Sequence, residues 1–227
     1  MKRPPPLREV WTSDKGLSAM LVFLGLVLLV GAPLADESTD GDLVFGVLFS
    51  LLLLSGVVTV ARRKFLTVAV SALTIVTLAL RWASFRSPES PLRIWSHAFS
   101  IVLLSILTTL VLVQVFREGP VTAYRIQGAV VVYLLVGFTW AVAFEVVHIA
   151  LPDAFQFAHG NPGTAGVRHG LLYYSFVTLT TVGYGDITPV HPMARSLAIA
   201  EALIGQLYPA ILIARLVSLQ ITTKKDG

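Results

Sequence analysis

The chain has 227 residues, of which 55% are hydrophobic and 13% charged, with a net charge of +4 and a mean hydropathy of +0.78. A soluble domain carries about 25% charged residues, so the balance points to an integral membrane protein. No cysteine is present, which excludes disulfides and thiolate metal sites. The small positive charge reads as loop asymmetry and not as a nucleic-acid surface.

Residues 1–16 form an N-terminal tail with a stiff PPP at 4–6. Six apolar runs follow, near 17–34, 43–60, 65–82, 97–116, 126–149 and 193–220. Crossing a bilayer core of about 30 Å takes around 20 helical residues, and each run approaches or exceeds that. Gly-Ala-Pro-Leu at 31–34 is a poor small-residue cleavage site, so the first run is read as a span and not as a signal peptide. The first four runs make a four-helix transmembrane domain over 17–116, and a two-span domain occupies 117–227. Between the last two runs lies a seventh apolar stretch, 170–181, too short to span. A glycine-rich loop, HGNPGTAG at 159–166, precedes it and a glycine motif follows. Such a helix, at about 169–180, dips into the membrane and returns. The fold class is therefore an all-α membrane protein with six transmembrane helices, a re-entrant helix and a loop after it.

An even number of spans puts both termini on one side. Lys2, Arg3, Arg8, Lys15, Arg62, Arg63, Lys64, Arg117, Arg125, Arg215, Lys224 and Lys225 then share that side. Arg81, Arg86, Arg93, Arg168 and Arg195 fall opposite, with the acidic loop DESTDGD at 36–42. The bias places both termini in the cytoplasm and the glycine motif on the outer side.

That motif is TLTTVGYGDITP, residues 178–189. A cation crossing hydrocarbon must exchange its water for other oxygens. Successive backbone carbonyls supply them only if all turn to one side. An ordinary strand alternates its carbonyls, and turning them together needs left-handed angles at alternate residues, which glycine adopts without steric cost. Gly183 and Gly185 have that spacing. Thr181 can add its hydroxyl below the stack, while Val182 and Tyr184 point outward as struts. One strand offers one oxygen per layer, so several chains must surround an axis.

The stretch YYSFVTLTTVGYGDITP resembles the pore helix and filter of voltage-gated and simple bacterial potassium channels, and the similarity extends over about 120–220. Such filters are built from four TVGYG loops. The resemblance implies a homotetramer in a lipid bilayer, with potassium ions held at Thr181, Val182, Gly183 and Tyr184, the filter completed by Gly185, and Asp186 at its outer mouth. Tyr173 and Tyr174 stand where the family has tryptophans, and would form an aromatic cuff around Tyr184. Val177 replaces a glutamate that some bacterial relatives carry behind the filter. Gly205 matches a hinge glycine, and Pro209, four residues on, removes the hydrogen bond that Gly205 would otherwise accept. Gln206, Pro209, Ile213 and Val217 share the cavity face of the last helix. Glu201 is costly inside a span unless partnered, and a hydrogen bond to Ser175 or Thr178 would let it brace the filter from behind. Glu145 would anchor the pore to a neighbouring helix. His159, His169 and His191 fall in outer loops, and His97 at a membrane interface. The fourth span, SHAFSIVLLSILTTLVLVQVF, has no arginine at every third position, so little voltage dependence is expected.

No nucleophile elbow, metal-ligand pair or phosphate-loop lysine is present, so no enzyme, cofactor or nucleic-acid partner is expected. The reading is passive potassium conduction across a plasma membrane, in the style of a prokaryotic multi-pass channel. The alternatives are a membrane subunit of a potassium uptake system and a non-conducting structural membrane protein.

Overall fold

The structure is a computed structural model that describes residues 7–31, 39–60, 64–86, 91–117, 122–158, 160 and 163–225. Seven α-helices dominate: α1 (Leu7–Leu26, continued by a π-helical turn at Val27–Gly31), α2 (Thr39–Val60), α3 (Lys64–Arg86), α4 (Leu92–Phe116), α5 (Ala123–Ala150), α6 (Gly163–Leu179) and α7 (Pro192–Lys225). Two three-residue strands, β1 (Phe155–Phe157) and β2 (Ile187–Pro189), flank α6 and pair antiparallel, with Phe155 opposite Pro189 and Phe157 opposite Ile187. The spans tolerate hydroxyls because these return their proton to the preceding turn. Thr74 bonds the Val70 carbonyl, Ser100 that of Ser96 and Thr139 that of Leu135, each at 2.7 Å. These hydroxyl protons are then not left bare in hydrocarbon.

Among the described residues, five helices are long and apolar enough to cross a membrane: Gly41–Thr59, Lys64–Ser84, Leu92–Phe116, Ala123–Ala150 and Pro192–Ser218. The sixth expected span differs. Its apolar part is Gly16–Gly31, about 24 Å long at 1.5 Å per residue, shorter than the hydrocarbon core. The helix begins at Leu7, so much of the expected tail is helical, and residues 32–34 lie outside the described residues.

One core joins the N-terminal helices to α5. Met20 and Leu24 of α1, Leu52 and Leu53 of α2, Leu103, Leu104 and Leu107 of α4, and Leu135 and Phe138 of α5 are all buried in it. Gln127 of α5 donates from Nε2 to Ser18 Oγ of α1 at 3.1 Å. The bundle thus rests on α5 of its own chain. A second core, around Phe144, Phe155, Leu171 and Tyr174, holds the C-terminal end of α5 against β1 and α6.

Three placements correct the sequence reading. The short apolar helix expected at about 169–180 starts at Gly163, several residues early, so residues 163–166 of the supposed loop are helical. His169 is consequently not in a loop: it is buried on α6 with its ring edge-on to Phe45 at 5.1 Å. Arg81 lies within α3, and its guanidinium sits 4.3 Å from the centre of the Phe49 ring. An arginine whose charge rests on an aromatic face inside a bundle reads from sequence like one at a loop.

Candidate ion-conduction site

The site begins where α6 ends. A helix leaves its last four carbonyls without intrahelical donors. Here the chain turns back so that its own amides satisfy them. Thr181 N donates to Thr178 O at 2.9 Å, and Val182 N to Val177 O at 3.0 Å, with Gly183 N 3.4 Å from the same oxygen. The amides of 181–183 are therefore spent behind the strand.

The backbone angles do the rest. φ is +61° at Thr181, +58° at Gly183 and +81° at Gly185. Every second residue is left-handed, the alternation that turns successive carbonyls to one side. Two positions are glycine and cost little. The third is a β-branched threonine, for which this region is a true outlier, worth about 1–2 kcal/mol of strain. Such strain persists only where neighbours impose it. At Thr181 the back-bonded amides do so, along with Gln206 of α7, whose Nε2 reaches Thr181 Oγ1 at 3.3 Å. A row of carbonyls with a hydroxyl beneath, at the negative end of a helix dipole, can coordinate a desolvated cation.

The flanks are wired to the scaffold. Tyr133 of α5 donates its hydroxyl to the Leu179 carbonyl at 3.2 Å, and its ring stacks on Tyr208 of α7, 6.1 Å between centres. Gly205 lies against that same carbonyl: a Cβ at 205 would overlap the Leu179 oxygen. Gly205 is thus a close-packing point under the end of α6, in a helix that runs unbroken through Pro209. Gln206, Ile213 and Val217 are exposed, and Pro209 is half-buried.

The two tyrosines of the expected cuff part ways. Tyr173 stacks on Tyr184, 6.4 Å between centres with the rings 2° from parallel, and its hydroxyl lies within hydrogen-bonding reach of Asp186. Tyr174 turns the other way, into Phe144 and Phe155 at 5.0 and 5.6 Å. Tyr184 is 72% exposed and Val182 is also exposed in the single chain. Asp186 keeps one carboxylate oxygen on the Ile187 amide at 3.1 Å, while its carbonyl accepts from Ala158 N at 2.8 Å. His191 accepts the Met193 amide at Nδ1, 3.1 Å, and so caps the start of α7.

Glu201 is fully buried, with Oε1 2.5 Å from Ser175 Oγ. Thr178 does not contact it directly among the described bonds. Ser175 also lies 2.7 Å from the Gly137 carbonyl of α5. Glu145 sits in an ion-pair network that sequence reading reached only in part. Its Oε2 is 3.5 Å from His97 Nε2 of α4 and 3.9 Å from Arg168 Nε of α6, and Arg168 Nη1 is 3.1 Å from Asp42 Oδ1 of α2. Arg168 thereby ties the start of α6 to the bundle. Arg168→Met should lower the unfolding free energy by about 2 kcal/mol, below the roughly 3–5 kcal/mol of a fully buried pair because the arginine side chain is 26% exposed. Thermal denaturation in detergent measures it, and an unchanged midpoint refutes the tie.

Long apolar helices pack on a short helix that ends in a strand of alternating handedness, the arrangement that the resemblance to potassium channels implies. Residues 166–221 match the family model described as Ion channel. Protein LctB of Bacillus caldotenax is 52% identical over 46 residues, 20% of this chain and 34% of that protein, and Protein LctB of Geobacillus stearothermophilus is 54% identical over the same share. Two pore potassium channel c of Oryza sativa subsp. japonica is 38% identical over 89 residues, 38% of this chain and 17% of its own length. The chain spans about a third or less of the length of these curated relatives. No solved structure matches it. Over residues 166–221 the chain is thus similar to ion channels, and a potassium channel is among the relatives it resembles.

Proposed function

We propose that the chain is one of four identical subunits of a potassium-selective channel that conducts passively down the electrochemical gradient. The observation that carries this is the alternation of left-handed residues at 181, 183 and 185, with the amides of 181–183 tied back to α6. Four such strands around an axis would replace a potassium ion's hydration shell with the carbonyls of Thr181, Val182, Gly183 and Tyr184. The exposed faces of Val182 and Tyr184 would then meet neighbouring subunits. Gln206 would line the cavity below, and Pro209, Ile213 and Val217 the inner entrance. Tyr173, Tyr174 and Glu201 would support the filter, and Asp186 would stand at its outer mouth. Both termini lie in the cytoplasm in this reading, the host membrane is a prokaryotic plasma membrane, and potassium is the permeant ion with no cofactor or enzymatic step.

Voltage has little to act on. Within α4, residues 96–116 carry no arginine, and moving charge through the field is what makes opening steeply voltage-dependent. A gating charge of several elementary charges per subunit would contradict this.

The deciding experiment is flux into liposomes containing only this chain. Potassium and rubidium should enter and sodium should be excluded by a large ratio. Equal entry of sodium, or no entry of any ion, rejects the proposal, the latter in favour of an uptake subunit or a structural protein.

A further inference from the structure

Three groups from three helices meet behind the filter, and their protons can be counted. Ser175 Oγ of α6 is 2.7 Å from the Gly137 carbonyl of α5 and 2.5 Å from Glu201 Oε1 of α7. Both distances are those of hydrogen bonds between oxygens. A serine hydroxyl has one proton to give and can accept others. A backbone carbonyl only accepts, and an ionised carboxylate only accepts. If Glu201 were ionised, two acceptors would compete for one proton and one short contact would have none. Both contacts carry a proton only when Glu201 brings its own.

The surroundings agree. Glu201 is 0% exposed, and its Oε2 has no hydrogen-bond partner. The groups facing it are the Ser175 hydroxyl and, at longer range, the phenols of Tyr133 on α5 and Tyr174 on α6. Among the described residues no arginine, lysine or histidine forms an ion pair with it. An unpaired buried charge with a bare oxygen is far more costly than a neutral acid. The three helices are also held close enough to keep the bonds short. A Cβ at Gly137 would strike the Phe176 ring, and one at Gly205, one turn after Glu201, would overlap Leu179.

We infer that Glu201 is held as a neutral carboxylic acid whose O–H donates to Ser175, which in turn donates to the Gly137 carbonyl, making Glu201 a positioning residue for the filter. The relay runs from α7 through α6 to α5. Ser175 lies one helical turn before Leu179, whose carbonyl carries the Tyr133 bond. The relay therefore fixes the rotation of α6 immediately ahead of the turn that launches residues 181–185. Its functional arm rests on the channel reading, and its spectroscopic arm does not.

The full chain in liposomes at neutral pH provides both tests. The infrared spectrum should contain a protonated-carboxyl stretch that disappears in Glu201→Gln and moves to higher frequency in Ser175→Ala, where the acid loses its acceptor. If Glu201→Gln removes ionised-carboxylate bands instead, the inference is overturned whatever the chain conducts. In flux, Glu201→Gln should keep the potassium-to-sodium ratio within about twofold of wild type, since a carboxamide N–H can replace the acid O–H. Glu201→Leu and Ser175→Ala, which break the relay, should each lower that ratio roughly tenfold. If Glu201→Gln falls as far as Glu201→Leu, or if Glu201→Leu and Ser175→Ala both keep the wild-type ratio, the positioning role is wrong. A wild-type chain that passes no ion defeats the channel reading and leaves the infrared result to decide the proton.

Discussion

Gly205→Ala should lower the unfolding free energy of the reconstituted protein by about 3 kcal/mol or more, at or above the upper end of ordinary overpacking. The added methyl would fall on the Leu179 carbonyl oxygen, which also accepts the Tyr133 hydroxyl. Backbone cannot swing aside as a side-chain tip can. Relief would need α7 to move away from the end of α6, and the Gln206–Thr181 and Ser175–Glu201 bonds would stretch with it. Gly46→Ala on α2 is the control, because a Cβ there meets nothing within 4 Å. On helix propensity alone it should be neutral or stabilising by up to about 1 kcal/mol. Thermal unfolding in liposomes compares the two. Were Gly205→Ala no worse than the control, and altered only in how often the channel opens, then the hinge reading of Gly205 would stand and the packing reading would fall.

Gly183→Ala is expected to abolish potassium flux while leaving the thermal midpoint almost unchanged. A Cβ at 183 has open space around it, so the damage is conformational and not steric. At φ +58° alanine costs about 1–2 kcal/mol in each chain. The exposed strand can shed that strain by rotating a peptide plane, which turns one carbonyl away from its row. The helices need not respond, because the strand contributes little buried surface. Flux and circular dichroism on one preparation check both halves. A mutant that conducts at the wild-type rate would show that left-handed geometry at 183 is not required.

Much of this arrangement was legible in the sequence, for physical reasons that can be named. Long apolar runs have few structures open to them in a membrane, so α2 to α5 and α7 fall close to their expected positions. The glycine spacing at 183 and 185 announced the alternation. Thr181 did not, since a β-branched residue gives no sign that its neighbours will hold it left-handed. Glu201 inside an apolar run demanded a partner, and Ser175 was one of two within reach. The third member of the relay is the carbonyl of Gly137, and a backbone oxygen has no letter in a sequence. The ion-pair network around Arg168 was missed for a similar reason. Asp42 and Arg168 are 126 positions apart, and nothing local to either points to the other. The strands at 155–157 and 187–189 are too short for periodicity to register. Tyr174 shows a different limit: adjacent residues on a helix face directions about 100° apart, so the pair at 173 and 174 could not both lie against Tyr184 in one chain.

The contact between α1 and α5, pinned by Gln127 and Ser18, has a consequence for any ring built from this chain. Within one chain the N-terminal bundle leans on the α5 to which it is covalently joined. If that is also its main support in a ring of four, each subunit would be a self-contained wedge, and a defect in one bundle would reach the axis through its own quarter. Mixed rings of intact and bundle-damaged chains should fail in graded steps with the number of damaged wedges. A pore whose bundles interlocked with their neighbours would instead fail abruptly, because one poor subunit would spoil two.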